Sequence, residues 1–148
     1  MSKEAQFEET PTGRVRATPG WFAINLRDAA WFRNEQFGAG CQMEGKLPFE
    51  QFGVNVRVLM PGQPACCYHR ENQEEGFLVL SGSCVAIVDG EERPLRQWDF
   101  LHTPAEVDHV LVGAGDGPCA ILMMGARLPE TRLCYPVNEV AARHGASA

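Results

Sequence analysis

Residues 61–82 read P-G-Q-P-A-C-C-Y-H-R-E-N-Q-E-E-G-F-L-V-L-S-G, and this stretch decides the fold. Pro61-Gly62 breaks the strand before it. Tyr68 to Arg70 sits in strand-like surroundings. Side chains two apart on a strand share a face, so His69 and Glu71 point the same way. The polar cluster E-N-Q-E-E reads as a turn or bulge, with Gln73 and Glu74 as exposed turn residues. The apolar run G-F-L-V-L-S-G then reads as a buried strand ended by Gly82. Such a hairpin brings Glu75 back beside His69 and Glu71. Cys67 has the strand parity of His69: core filler is the preferred reading, a cavity wall the alternative.

A second stretch, Trp98 to Gly113, supplies His109. Two imidazoles and two carboxylates at one point suit zinc, iron, manganese or nickel. Two neutral histidines and two ionised glutamates also cancel the charge of a divalent ion, which lowers the cost of burying it. The expectation is one divalent metal per chain, zinc or iron before manganese or nickel, with His69, Glu71, Glu75 and His109 as ligands.

These residues resemble the two short motifs of the cupin superfamily. The first is Gly, five residues, His-x-His, three or four residues, Glu, six residues, Gly. His69, Glu75 and Gly82 fit it, Glu71 replaces the second histidine, and Gly62 stands one residue too early. The second is Gly, five residues, Pro-x-Gly, two residues, His, three residues, Asn. Pro104 and His109 fit it, while Trp98, Glu106 and Gly113 occupy the positions of its two glycines and its asparagine. The resemblance runs roughly from Val54 to Gly125. It implies an all-β jelly-roll barrel, the double-stranded β-helix, with the metal at His69, Glu75 and His109.

Around this centre, 148 residues with 45% apolar side chains suggest one globular domain. A net charge of −6 argues against nucleic acid as a partner. No apolar run reaches the length of a membrane span, and residues 1–10 lack an apolar signal region, so the cytoplasm is the expected location. The six cysteines form no C-x-x-C pair and are expected as buried free thiols.

In chain order, residues 1–19 read as a partly ordered arm, 20–136 as the barrel, and 137–148 as a short helix and tail. Gly20 to Leu26 looks like a first strand, and residues 27–34 a turn or short helix. Val54, Val56, Val58 and Met60 share one face of a strand, Asn55 and Arg57 the other. Asp89-Gly90 is a hairpin turn, and Pro94 marks an edge strand. Asn138 is a candidate N-cap for a helix that Gly145 stops. Short antiparallel strands at this spacing suit a barrel or sandwich. The apolar side chains of residues 20–26 have no evident place in a minimal barrel, which suggests a homodimer whose N-terminal region covers a sheet edge.

Strand parity puts Phe77, Val79 and Leu111 on the cavity wall, and places no arginine or lysine there, which disfavours a multiply anionic ligand. His102 and His144 read as structural or exposed. A small-molecule ligand is expected. The resemblance implies a metal-dependent enzyme of dioxygenase, isomerase or decarboxylase type, with Glu71 as a general base. The alternatives are a small-molecule-binding barrel without turnover and a barrel with a structural metal.

Overall fold

Why should the clean alternation at 54–60 not mark an ordinary half-exposed strand? The computed structural model, which describes residues 3–41 and 43–148, shows both faces of that strand covered. The chain runs through β1 (Phe7–Thr10), β2 (Gly13–Arg16), β3 (Trp31–Asn34), β4 (Gly38–Cys41), β5 (Phe52–Leu59), β6 (Arg70–Glu71) and β7 (Glu75–Ser81). It continues through β8 (Ser83–Val88), β9 (Glu91–Arg96), β10 (Phe100–Thr103), β11 (His109–Ala114), β12 (Cys119–Ala126), β13 (Leu133–Cys134) and the helix α1 (Glu139–Arg143). All strand pairings are antiparallel. One sheet has the order β10-β7-β12-β5-β4-β3, a second β11-β8-β9, and two small ribbons pair β1 with β2 and β6 with β13.

The two larger sheets face each other as a jelly roll. Leu59, Phe77, Val79 and Ile121 from the first meet Cys84, Ala86 and Leu111 from the second in one buried core. Register explains who points inward. Arg57 pairs with Ile121 and Ile121 with Val79; Asn55 pairs with Met123 and Met123 with Phe77. The polar face of β5 therefore looks into the barrel, while Val56 faces out. It packs there with Ala29 and Cys41, flanked by Ile24, Leu26, Trp31 and Leu122. The outer face of the second sheet is covered by α1 and the tail, where Ala141 and Ala146 pack on Ile87, Val110 and Val112.

Several expectations change. Residues 22–25 form no strand but an irregular cover, and residues 31–34 are a strand that extends the sheet at β4. Part of the expected N-terminal arm is the β1–β2 hairpin. Ile24 and Leu26, which had no evident place in a minimal barrel, pack on their own sheet. The C-terminal helix forms as read: the Asn138 side chain accepts from the Ala141 N–H at 3.0 Å, and Gly145 leaves the helix at φ +65°. No helix among the described residues is long and apolar enough to cross a membrane.

Candidate metal centre

The site forms where β11 begins beside the chain that leads into β6. His69 and His109 face each other as an antiparallel pair, each N–H donating to the other's carbonyl, at 3.1 and 2.7 Å. That pairing sets the imidazoles side by side, ring centres 4.7 Å apart. Glu75 arrives from the first residue of β7, across from Gly125 and Gly53, whose missing side chains open space at this end of the barrel. The three side chains offer ligand atoms within 4.8 Å of one another.

Both histidines are held by the same device. His69 Nδ1 lies 2.9 Å from the Cys67 carbonyl, and His109 Nδ1 lies 2.9 Å from the Val107 carbonyl. A carbonyl only accepts, so each Nδ1 carries the proton and each Nε2 presents a lone pair to the cavity. Metal-ligating histidines are oriented in this way. His109 Nε2 is buried, 3.0 Å from Glu75 Oε2, yet makes no aligned hydrogen bond. Burial alone would push this imidazole down, but Glu75, the Val107 carbonyl and Glu71 outweigh it and raise its pKa. A lone pair facing a carboxylate is a repulsive arrangement that calls for a cation between them. The donor set fits a divalent metal.

Glu71 stands beside this cluster without joining it. Its Oε1 is 3.8 Å from His69 Nε2, and its Oε2 accepts from the Gln73 side chain. Gln73, read as an exposed turn residue, is half-buried and orients Glu71. Cys67 does not line the cavity; Cys66 does, with its sulfur 3.5 Å from His69 Nδ1. Residues 65–68 bend irregularly, so strand parity does not apply there. Burial, then the nearby Glu75, push the Cys66 thiol up to about 12, so it stays protonated.

The cavity measures about 380 Å³. Phe77 and Leu111 line it as expected, and Val79 lies in the core. Arg57 and Arg127 also line it, against the expectation of no cation there. Arg127 is closed by a two-pronged pair with Glu44 at 2.7 and 3.1 Å. Tyr135 completes the mouth, its ring 5.9 Å from that of His69, brought there by the pairing of β13 with β6. No local sequence signal marks Tyr135. His102 is exposed, pairs with Glu74 at 3.4 Å and does not line the cavity; His144 pairs with Glu92 at 2.7 Å.

The family model for the cupin domain matches residues 55–125, the segment that carries His69, Glu75 and His109. The chain belongs to the cupin superfamily. This cupin is similar to the solved structure of a cupin-superfamily sugar phosphate isomerase from Silicibacter pomeroyi. Identity is 26%, over 77% of this chain and 81% of that one, with a TM-score of 0.67. A provisionally assigned sugar phosphate isomerase from Acidithiobacillus ferrooxidans is also 26% identical, over 59% of this cupin, which spans 57% of that chain (TM-score 0.56). The polyketide cyclase RemF from Streptomyces resistomycificus shares the fold at 15% identity, with a TM-score of 0.61 over 81% of this chain and 89% of that one. No curated protein matches this cupin.

Proposed function

We propose that this cupin is a metal-dependent isomerase of a small hydroxylated carbonyl compound, with Glu71 as its proton carrier. One observation carries the reading: three ligands converge, and a second carboxylate, Glu71, waits beside them, oriented by Gln73 and not consumed in the cluster. The likeness to the Silicibacter sugar phosphate isomerase supports the reaction class. His69, Glu75 and His109 would hold the ion. A bound divalent ion supplies Lewis-acid polarisation of a carbonyl or hydroxyl oxygen. Gln73 occupies Glu71 Oε2, which leaves Oε1 to take a proton from the carbon next to the carbonyl and return it to the neighbouring carbon. Phe77, Leu111 and Met123 keep that face of the cavity apolar and so limit water around the carboxylate.

The test is deuterium exchange. Metal-loaded protein in D2O should wash deuterium into the carbon beside the carbonyl of an aldose or aldose phosphate. Glu71→Gln should slow this on the order of 100-fold or more while keeping its metal. An unchanged rate in Glu71→Gln removes Glu71 from the role. If no metal-dependent exchange occurs across a panel of aldoses and their phosphates, the isomerase reading falls.

A further inference from the structure

We propose that this cavity takes its substrate by an anionic end, a terminal phosphate or carboxylate seated on Arg57, with substrate hydroxyls donating to Asn55. The proposal rests on the isomerase reading and adds the class of molecule that the pocket selects.

Arg57 lies on the inward face of β5, in the row Arg57–Ile121–Val79. It lines the same cavity as the metal cluster, on the sheet that carries Glu75 and across from the sheet that carries His109. One face of its guanidinium rests on Phe32, 5.0 Å from the ring centre. Among the described residues it donates one long hydrogen bond, of 3.4 Å, to the Phe37 carbonyl. Among the described residues it forms no ion pair. A guanidinium has five N–H donors in a planar fork that matches carboxylate and phosphate. Most of that fork is unspent. Burial also lowers its pKa, the mark of a cation held partly out of water.

The charges decide the sign of the ligand. Glu71 and Glu75 balance a divalent ion, and Glu44 balances Arg127. Arg57 remains as one surplus positive charge in a partly dry cavity, where a charge interaction is stronger than in water. The polar atoms suggest the rest of the molecule. Asn55 Oδ1 and Gln73 Oε1 are buried in residues that line the cavity, and among the described residues they have no hydrogen-bond partner. Both are acceptors, so both fit the O–H donors of a polyol. An anion on β5 and a carbonyl at the metal cluster then place the hydroxylated middle of the molecule beside Asn55.

Calorimetric titration of the metal-loaded protein tests this with three probes: ribose, ribose 5-phosphate and ribonate. The wild type should bind at least one of the two anions more tightly than ribose, on the order of 10- to 100-fold. Which anion gains identifies the end group. Arg57→Gln should erase that preference while leaving ribose binding, metal content and thermal midpoint in place, and Arg57→Lys should keep part of it. In the wild type, added salt should weaken the anion and not ribose. This arm needs no variant, so it decides the matter even if Arg57→Gln does not fold. Equal binding of all three probes, a preference insensitive to salt, or a preference that survives in Arg57→Gln overturns the proposal. Metal-dependent exchange without an anion preference would leave the isomerase reading standing and remove Arg57 from it. Anion preference without exchange would do the reverse.

Discussion

Trp98 and Glu106 hold φ at +74° and +66°, in the left-handed region, at the two positions where the cupin motif has glycine. A β-carbon there costs about 1–2 kcal/mol. Trp98 is 69% exposed, so removing its ring forfeits little burial. A glycine would gain back the steric cost and lose about 0.4–1 kcal/mol to a freer unfolded chain. Trp98→Gly should therefore raise stability in urea unfolding by about 0.5–1 kcal/mol; a drop would mean the indole packs in a way its exposure hides. The opposite holds at Gly113, where the motif has asparagine. A β-carbon there would lie 2.3 Å from the Met60 carbonyl. Gly113→Asn should destabilise by about 1–3 kcal/mol, and an unchanged midpoint would contradict the close approach. These departures were visible in the sequence as mismatches; only the backbone tells a tolerated mismatch from a required one. The ligands differ in the same way. Strand parity and the cupin resemblance named His69, Glu71, Glu75 and His109, but not that Glu71 stands outside the cluster. Glu75→Gln should lose most of the metal by elemental analysis and Glu71→Gln little. The reverse order would make Glu71 the anchor and remove it as a proton carrier.

Elements place side chains that no local pattern could. The alternation of residues 54–60 was legible, yet a valine face ordinarily means core. Here Val56 packs on Ala29 and Cys41, while Asn55 and Arg57 line the cavity. The strand at residues 31–34 was missed because its apolar pair Trp31-Phe32 suits a turn or helix as well; pairing with β4 decides it. Pro61-Gly62, Gly82 and Asp89-Gly90 mark turns between barrel strands and were legible, whereas the two-residue β13 carries no such signal and was not. Glu44 shows what ties the N-terminal segment to β5 and β12. It pairs with Arg127 and accepts the N–H groups of Phe49 and Val54 at 2.8 and 3.1 Å. Burial opposes its ionisation, but Arg127 and these N–H groups outweigh burial and hold its carboxyl below the usual range. A depressed carboxyl stabilises the fold above the unfolded pKa and loses that contribution as pH falls through the folded one. In metal-free protein, Glu44→Gln should cost about 1.5–2 kcal/mol at neutral pH, as expected for hydrogen bonds to a charged group. The gap to wild type should close below about pH 4. A gap independent of pH would mean that Glu44 acts through shape alone.

At the scale of the whole molecule, the metal cluster joins the two sheets, with Glu75 on one and His109 on the other. An ion bound by the native state and not the unfolded chain stabilises by mass action, about 4 kcal/mol at a thousand times its dissociation constant. For a chain of this size that is roughly 8–16 °C in Tm. Chelation should remove this shift in wild type and change nothing in His109→Ala. The pH dependence has a definite sign. The ion requires neutral imidazoles, so its contribution is present at neutral and higher pH and lost on acidification. Without the ion, the raised pKa of His109 works the other way. A histidine whose folded pKa is raised stabilises the fold below the unfolded value, about 6.5, and loses that contribution as pH rises through the folded value. Acid therefore weakens the loaded protein and favours the metal-free one together. The Tm difference between them should shrink steadily from about pH 8 to about pH 5, faster than ligand protonation at ordinary histidine pKa values would make it. Melting curves of loaded and chelated protein across that range measure the difference directly. A constant gap would show that the ion, if bound, is not held by His69 and His109, and the assignment of the centre would have to be abandoned.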